Sequence, residues 1–288
     1  MLQLVVSGLV LGCVYSLVAF GYYITFVTSK TLNFAQGSTM MLGAVTMVLL
    51  TVDHGVPAWL AAPASVLLLG LFGVALERAA VRPFVRRSSN AWVLSTLAVG
   101  IIIENLVQLV FGKSPRGFPS SLVEHPIRFM GVGVYPLEMI IPAVVLVVAG
   151  AARLAYTHTM TGRALKATAY DREASLAVGI DVNRMTSLSY ALSSMLAAVA
   201  GILLGPLLGV SSSMGFLIGL KAFAVAIVGG LEQPIGILAA GLGFGMLENV
   251  VGGLFGSSAK EMAGFGLVIA VLFLRPSGLF GRAPVRRV

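Results

Sequence analysis

The sequence predicts an all-α polytopic membrane protein, on three observations. Hydrophobic residues fill 58% of its 288 positions. Charged residues fill only 10%, as 19 Lys and Arg with 11 Asp and Glu. The uncharged residues come in long runs rather than alternating with polar ones. A soluble domain averages about 25% charged and about 45–50% apolar, because a surface facing water has to be covered with polar groups. A membrane barrel would alternate lipid-facing apolar with lumen-facing polar residues. The composition therefore excludes a soluble globular protein, a nucleic-acid-binding domain and a disordered chain. The net charge of +8 reads as cytoplasmic loop charge rather than as a nucleic-acid site.

The spans follow from the charge-free runs, each needing about 20 residues to cross a bilayer. Residues 1–29 carry no charge and predict a first span at about 4–27. A secretory leader would put positive charge before its apolar stretch. Here Lys30 comes after it, which suits a span with its N-terminus outside. Residues 31–52 and 54–76 predict spans at about 32–51 and 57–76, and a charged segment, 77–90, follows. A span at about 91–112 is apolar except for Glu104 and its polar neighbours. The segment 113–132 reads as an external loop with Pro115, Pro119 and Pro126, too short to be a folded domain. A fifth span is expected at about 133–152, and a charged segment, 153–184, comes next. From 185 to 274 there is room for four spans, or for fewer with re-entrant pieces, because Pro206, Pro234 and the glycines can break helices.

Lys and Arg collect on the cytoplasmic side of membrane proteins. Segments 77–90, 153–184 and 275–288 hold 13 of the 19 Lys and Arg, so all three are placed in the cytoplasm. The expected architecture is about 8–9 transmembrane helices with broken or re-entrant segments, N-terminus outside and C-terminus cytoplasmic. It forms a single transmembrane domain over 1–288 with a cytoplasmic loop at about 153–184. The sequence shows no soluble domain, so any energy-coupling domain is expected on another polypeptide.

Glycine, 34 residues, marks seams where helices pack closely. Gly8/Gly12, Gly201/Gly205/Gly209, Gly215/Gly219, Gly241/Gly245 and Gly252/Gly256 are each spaced by four. The single cysteine, Cys13, has no disulfide or metal company and reads as a small apolar residue.

Catalytic signatures are missing from the sequence. Gly112-Lys113-Ser114 resembles the tail of a phosphate-binding loop, but Val107 stands where the first glycine belongs and Pro115 where a helix should start. His54, His125 and His158 lie in or beside loops without a metal-ligand partner at helical spacing. Asp53, Asp171 and Asp181 lie in loops as well, and there is no nucleophile elbow. What remains are polar groups inside spans, where an ionisable side chain costs about 2.5–3.5 kcal/mol or more and is a functional candidate by default. Glu104 and Gln108 share a helix face beside Asn105. Glu248 and Asn249 sit within a span. Asn33 and Gln36 stand where a helix containing Gly37 begins. Lys221 lies in an apolar segment. The alternative for all of them is interhelical hydrogen bonding or a snorkelling end.

Segment 162–184 is cytoplasmic by charge yet has helical spacing. Ala164, Ala167, Ala174 and Ala177 form a small-residue face, with Lys166, Asp171, Arg172 and Glu173 around it, and Gly179 is placed to end the helix. Such a helix can dock into a groove of a partner or can be a solvated loop helix.

Four stretches then carry a resemblance: Leu32-Asn33-Phe34-Ala35-Gln36-Gly37 with Met41-Leu42-Gly43; Gly162-Arg163-Ala164 with Ala167, Asp171, Ala174 and Gly179-Ile180-Asp181; Gly219-Leu220-Lys221-Ala222-Phe223 with Gly229-Gly230; and Arg275-Pro276-Ser277-Gly278-Leu279-Phe280-Gly281. In this order and over nearly the full length, the chain resembles the branched-chain amino acid ABC importer permeases of the LivH-like subfamily. The resemblance implies a translocation subunit, not an enzyme, in the bacterial inner membrane. It implies three kinds of partner besides membrane lipid: a second permease subunit, two ABC ATPase subunits that hold the ATP and Mg, and a periplasmic substrate-binding protein. No cofactor is expected in this chain. Gly162, Arg163, Lys166, Ala167, Asp171, Arg172, Ala174 and Gly179 would couple to the ATPase. Asn33, Gln36, Gly37, Glu104, Lys221 and Glu248 would line the pathway, with broken helices starting at Asn33 and at Lys221. Two departures stand out: Glu104 replaces an expected glutamine, and Leu231-Glu232-Gln233-Pro234 follows the Gly229-Gly230 pair. The cargo is expected to be a hydrophobic amino acid. Urea or short amides, other small solutes and a self-sufficient secondary transporter are the alternatives.

Overall fold

The computed structural model describes residues 1–281 except Ser88, Lys113, Pro119, Met130 and Gly131; for Leu2, Ser121, Glu124, Arg128, Phe129, Val132, Arg153 and Tyr156 it describes the backbone alone. In chain order the elements are α1 (Leu2–Ser29), α2 (Gln36–Val48), α3 (Ala58–Leu76), α4 (Arg82–Val85), α5 (Trp92–Phe111), α6 (Ser121–Glu124), the antiparallel hairpin β1 (Ile127–Phe129) and β2 (Val132–Val134), α7 (Pro136–His158), α8 (Met160–Tyr170), α9 (Arg172–Ala177), α10 (Val182–Leu208), α11 (Met214–Gly229), α12 (Pro234–Phe255) and α13 (Ser257–Leu274). Among the described residues six helices are long and apolar enough to cross a membrane: α1, α3 running on through α4, α5, α10, α12 and α13. Residues 136–152 and α11 are shorter apolar helices.

α1 is the hub, packed against α12, α10, α11 and α7. Its approach to α12 is set by two glycine pairs. A Cβ on Gly12 would lie 2.6 Å from the Gly241 carbonyl oxygen, and one on Gly8 3.0 Å from that of Gly245. Only hydrogen at these positions lets the two backbones meet, which is the packing expected where lipid supplies no hydrophobic drive between helices. Gly215 and Gly219 of α11 meet Gly37 of α2, and Gly201 of α10 meets Met40. Gly252 and Gly256 do not form such a seam. Gly252 faces the Lys260 side chain, and Gly256, at φ 93°, makes the turn from α12 into α13. Gly209, at φ 76°, ends α10 rather than packing a helix against it. Cys13 is buried among apolar neighbours.

Several boundaries differ from the sequence expectation. The third span does not stop at 76. The helix of α3 runs on through one π turn, Glu77–Val81, into α4. Five residues on an ideal α-helix turn the side chain by about 140°, so Glu77 and Arg82 would face apart. The π turn, closed by the Arg82 N–H on the Glu77 carbonyl, brings them together. The fifth span does not stop at 152, because α7 continues to His158. Segment 113–132 carries α6 and most of the hairpin, so it is more ordered than a plain loop. Pro234 does not break a helix but starts α12, where its missing N–H costs nothing. Pro206 lies inside α10, two residues before its end. Of the segment 275–288, Arg282, Arg286 and Arg287 lie outside the described residues, as does Lys113 of the phosphate-loop resemblance.

Candidate translocation and coupling sites

Three groups of residues stand out: a polar knot at the start of α2, an ion cluster on the far side of α11, and the α8–α9 elbow.

α1 ends at Lys30, which takes the left-handed conformation at φ 56°. The chain then turns back into the protein before α2 begins. Gln36 lies beside Gly21, eight residues before the end of α1, or roughly 12 Å along its axis. α2 therefore starts inside the molecule rather than at its edge. The turn is held by its own side chains. Asn33 Oδ1 accepts from the Ala35 N–H at 3.1 Å, and Asn33 Nδ2 donates to Gln36 Oε1 at 3.3 Å. Gln36 in turn donates to the Ser193 carbonyl at 3.1 Å and accepts from the Ser193 hydroxyl at 3.0 Å. Asn33 and Gln36 are fully buried, and an amide pair can be buried because its partners satisfy it. Gly37 follows and fits against Gly219, where a Cβ would lie 2.7 Å from that residue's Cα. One residue on, the Ser38 hydroxyl donates to Glu104 Oε1 on α5 at 3.2 Å, so Glu104 joins the knot from its half-buried position. Asn105 instead bonds its own helix, at the Ile101 carbonyl.

Lys221 does not begin a broken helix. The break is at 209–213, and α11 starts at Met214, seven residues earlier. The sequence signal for it was Gly209, which the structure places at positive φ. The first turn of α11 runs antiparallel to the first turn of α2, Gly215 and Gly219 against Gly37, so the two internal helix starts meet. Lys221 is about 200° around α11 from Gly219 and faces α12 and α13. There its ammonium lies 2.9 Å from Glu248 Oε1 and 2.8 Å from Glu261 Oε1. Tyr15 donates to the other Glu248 oxygen at 2.9 Å. The Lys221–Glu248 contact is an ion pair without hydrogen-bond alignment. The six residues expected along the pathway thus separate into two clusters on opposite faces of α11: Asn33, Gln36, Gly37 and Glu104 on one, Lys221 and Glu248 on the other. Sequence reasoning missed Tyr15, Ser38, Ser193 and Glu261. Ser193 and Tyr15 sit in unbroken apolar runs, where nothing marks one hydroxyl above another, but Glu261 was visible as a lone acid.

The α8–α9 segment is two helices, not one. Asp171 is extended, at φ −150° and ψ 114°, and its carboxylate accepts the Glu173 and Ala174 N–H groups at 2.9 Å. An aspartate that caps the next helix ends the previous one. Thr159 caps α8 through the Gly162 N–H, and Asp181 caps α10 through the Arg184 N–H. Gly179, at φ 84°, closes α9, with the Ile180 N–H on the Ser175 carbonyl and the Gly179 N–H on that of Leu176; this six-to-one pattern needs a left-handed residue. The small-residue face is therefore divided. Ala164 and Ala167 are half-buried on α8, whereas Ala174 and Ala177 are exposed on α9. Gly162, Leu165, Thr168 and Ser175 point inward and anchor the elbow. Outward stand Arg163 and Lys166 with Tyr170, 91% exposed, and Val178, 75% exposed. Arg172 is half-buried.

The remaining family-like stretch closes the cluster of motifs. After α13, Gly278 takes φ 84°, and the Leu279 N–H donates to the Val228 carbonyl at the end of α11 at 2.8 Å. Phe280 covers Gly236. Among the described residues no three His, Cys, Asp or Glu side chains gather as a metal site.

Six membrane-length helices, two shorter helices whose starts meet among them, and a polar elbow outside make up a multi-pass membrane protein of the permease class. Residues 4–274 match the family described as branched-chain amino acid transport system, permease component, and the chain belongs to that family. It is 32% identical to the high-affinity branched-chain amino acid transport system permease protein BraD of Pseudomonas aeruginosa, over 100% of this chain and 98% of that one. It is 29% identical to LivH of Escherichia coli K12, over 100% and 97%. A probable LivH of Methanocaldococcus jannaschii is 28% identical over 92% and 88%. Among solved structures, PsaBC from Streptococcus pneumoniae in complex with Fab superposes with a TM-score of 0.51 over 94% of this chain and 91% of that one. Its 14% identity makes that a likeness of fold alone.

Proposed function

We propose that this chain is the permease subunit of an ATP-driven ABC importer for branched-chain or other hydrophobic amino acids in the bacterial inner membrane. It pairs with a second permease subunit to form the pathway. Two ATPase subunits, which hold ATP and Mg, dock on its cytoplasmic face, and a periplasmic binding protein delivers the solute. In this reading the chain has about 8–9 transmembrane helices, broken or re-entrant ones included, with the N-terminus outside and the C-terminus inside. The Lys and Arg distribution supports that orientation.

The observation that carries the reading is the elbow. A loop helix that only met water would not leave Tyr170, Leu176 and Val178 exposed together beside Arg163 and Lys166 while anchoring its opposite face. Such a surface suits a protein groove with acidic edges. Arg163, Lys166, Asp171, Arg172, Ala174 and Gly179 shape it, with Gly162 and Ala167 on the anchoring side. In the membrane, the first turns of α2 and α11 meet around Gly37. Helix starts carry partial positive charge, and paired internal starts are a recognised pointer to a solute site that takes an anionic group. The carboxylate of an amino acid meets that requirement. Glu104, half-buried beside Ser38, lies next to the same place and suits the ammonium end.

The test is reconstitution in proteoliposomes. With both permeases, the ATPases and the binding protein, leucine uptake should require ATP and should fall to background without the ATPase subunits. Uptake by this chain alone, driven by an ion gradient, would overturn the reading in favour of a secondary transporter.

A further inference from the structure

The structure gathers arginine where α3 leaves its apolar stretch. Two adjoining clefts, sharing Arg82 and Asn183, run between the α3–α4 end and the start of α10. Arg78, Arg82, Arg86, Arg172 and Arg184 line them against two carboxylates, Glu77 and Asp181. Both acids are already taken. Arg82 holds Glu77 through two nitrogens at 2.7 and 3.0 Å, and Arg184 lies 2.9 Å from Asp181. Ser187 completes the first pair, accepting from Arg82 at 2.6 Å and donating to Glu77 at 2.9 Å. Arg78 and Arg86 have no ion-pair or hydrogen-bond partner among the described residues, and both are exposed. The clefts therefore keep an uncompensated positive charge.

The outer cleft has a second property. Its inner wall is apolar, formed by Val74, Leu188 and Ala191. Leu67, Leu71, Val74 and Arg78 are spaced four, three and four along the chain and so share one face of the helix. Leu67 is 61% and Leu71 69% exposed. An open apolar track thus runs along a membrane-length helix and ends at a free guanidinium. A positively charged head site joined to an apolar track has the shape of one phospholipid.

We propose that this cleft binds an anionic phospholipid, its phosphate on Arg78 and Arg184 and one acyl chain along Leu71 and Leu67. The planar guanidinium fork matches phosphate oxygens, and basic pockets between membrane helices are a known setting for anionic headgroups. Free phosphate shares the head chemistry but makes no use of the leucine track. The site does not depend on which solute is carried or on the motor, so it stands or falls separately from the transport reading.

The test uses the full chain with its partner subunits, stripped of lipid in detergent and exposed to phosphatidylglycerol or phosphatidylcholine. Bound lipid is counted by native mass spectrometry. The wild type should retain phosphatidylglycerol in preference to phosphatidylcholine. Arg78→Gln and Arg184→Gln should each weaken phosphatidylglycerol binding about five-fold, the effect of one basic residue at an anionic membrane surface. Arg78→Lys, which keeps the charge but loses the fork, should recover only part of the loss, and the pair Leu67→Ser and Leu71→Ser should weaken lipid binding with every arginine in place. These exposed positions leave the fold intact, checked by unchanged unfolding temperature in phosphatidylcholine. Equal retention of the two lipids would overturn the proposal, as would phosphatidylglycerol binding unchanged in the double arginine variant. Displacement by inorganic phosphate with no effect of the leucine changes would make it a free-anion site and reject the lipid. Loss of ATPase co-purification with unchanged lipid binding would assign the arginines to the protein partner instead.

Discussion

Lys221 and Glu248 lie 2.9 Å apart with side chains 4% and 0% exposed. On α8, Arg163 and Lys166 stand in the open with no carboxylate on them among the described residues. In the interior, a charge can persist only against an opposite charge, because taking it out of water costs several kcal/mol that only close pairing offsets. At the elbow, the acids do other work. Asp171 and Asp181 cap helix starts, which fixes the shape of the turn and leaves the cations and apolar side chains facing outward. One region closes its charges on itself and holds helices together. The other keeps its surface unpaired while its backbone is rigid. The difference separates residues that hold the permease from residues that present it.

The largest effect expected from this contrast is at Lys221. Lys221→Met should strand Glu248 in the interior and cost about 3–5 kcal/mol, the usual result of removing one member of a buried pair. Unfolding in detergent measures it. Adding Glu248→Gln to the same chain should recover most of the loss, since the fully buried charge is then gone and Glu261, which also loses its cation, is 40% exposed to solvent. A single variant as stable as the wild type would break the contrast.

Gly37→Ala comes next. Its Cβ would meet the backbone of Gly215 and Gly219, which cannot swing aside as a side chain can. Overpacking of this kind costs about 1–3 kcal/mol, and the damage should spread to both internal helix starts. Lower yield and a lower unfolding temperature are the expected outcome. A stable variant with altered leucine uptake alone would separate the pathway role of Gly37 from its packing role.

The elbow should respond in the opposite way. Gly179→Val forces a β-branched residue into φ 84°, a strain of about 1–3 kcal/mol confined to the end of α9. The membrane helices should stay folded while ATPase co-purification is lost. Leu176→Ser, at an exposed position, should change stability by less than about 0.5 kcal/mol and still weaken ATPase binding. Undiminished co-purification with both variants would remove the docking role from the elbow.

Much of this was legible from particular residues. The charge-free runs locate the helices because lipid admits few charges, and Gly8/Gly12 with Gly241/Gly245 announced a seam that the fold forms. Asn33, Gln36 and Gly37 were legible as an internal helix start because amides beside glycine inside an apolar run need a reason. Asp171 was misleading. As a sequence it reads as one charge on a helix, and only the local competition between its carboxylate and the helical N–H groups makes it a boundary. The Glu77–Arg82 pair was illegible for a geometric reason: five-residue spacing predicts opposite faces unless a π turn intervenes, and no residue type signals one. Lys221 and Glu248 were both singled out, but their contact joins residues 27 apart in sequence on two different helices, which neither local spacing nor hydropathy encodes.

The smallest expected effect is at Lys30, and it sharpens the contrast from the surface side. Lys30 and Glu232 are 2.6 Å apart, closer than Lys221 and Glu248, but their side chains are 58% and 60% exposed. An exposed pair is worth about 0.2–1 kcal/mol. Lys30 also holds the left-handed conformation that ends α1, which costs a residue with a Cβ about 1–2 kcal/mol. Lys30→Gly loses the pair and its place over the Phe26 ring but relieves the backbone, so the two changes should nearly cancel. Lys30→Ala loses the same contacts and keeps the strain, and it should be the less stable of the two by about 1 kcal/mol. Unfolding both variants in detergent beside the wild type measures that gap. A loss at Lys30→Gly as large as that at Lys221→Met would mean that distance rather than burial decides what a charge pair contributes in this protein.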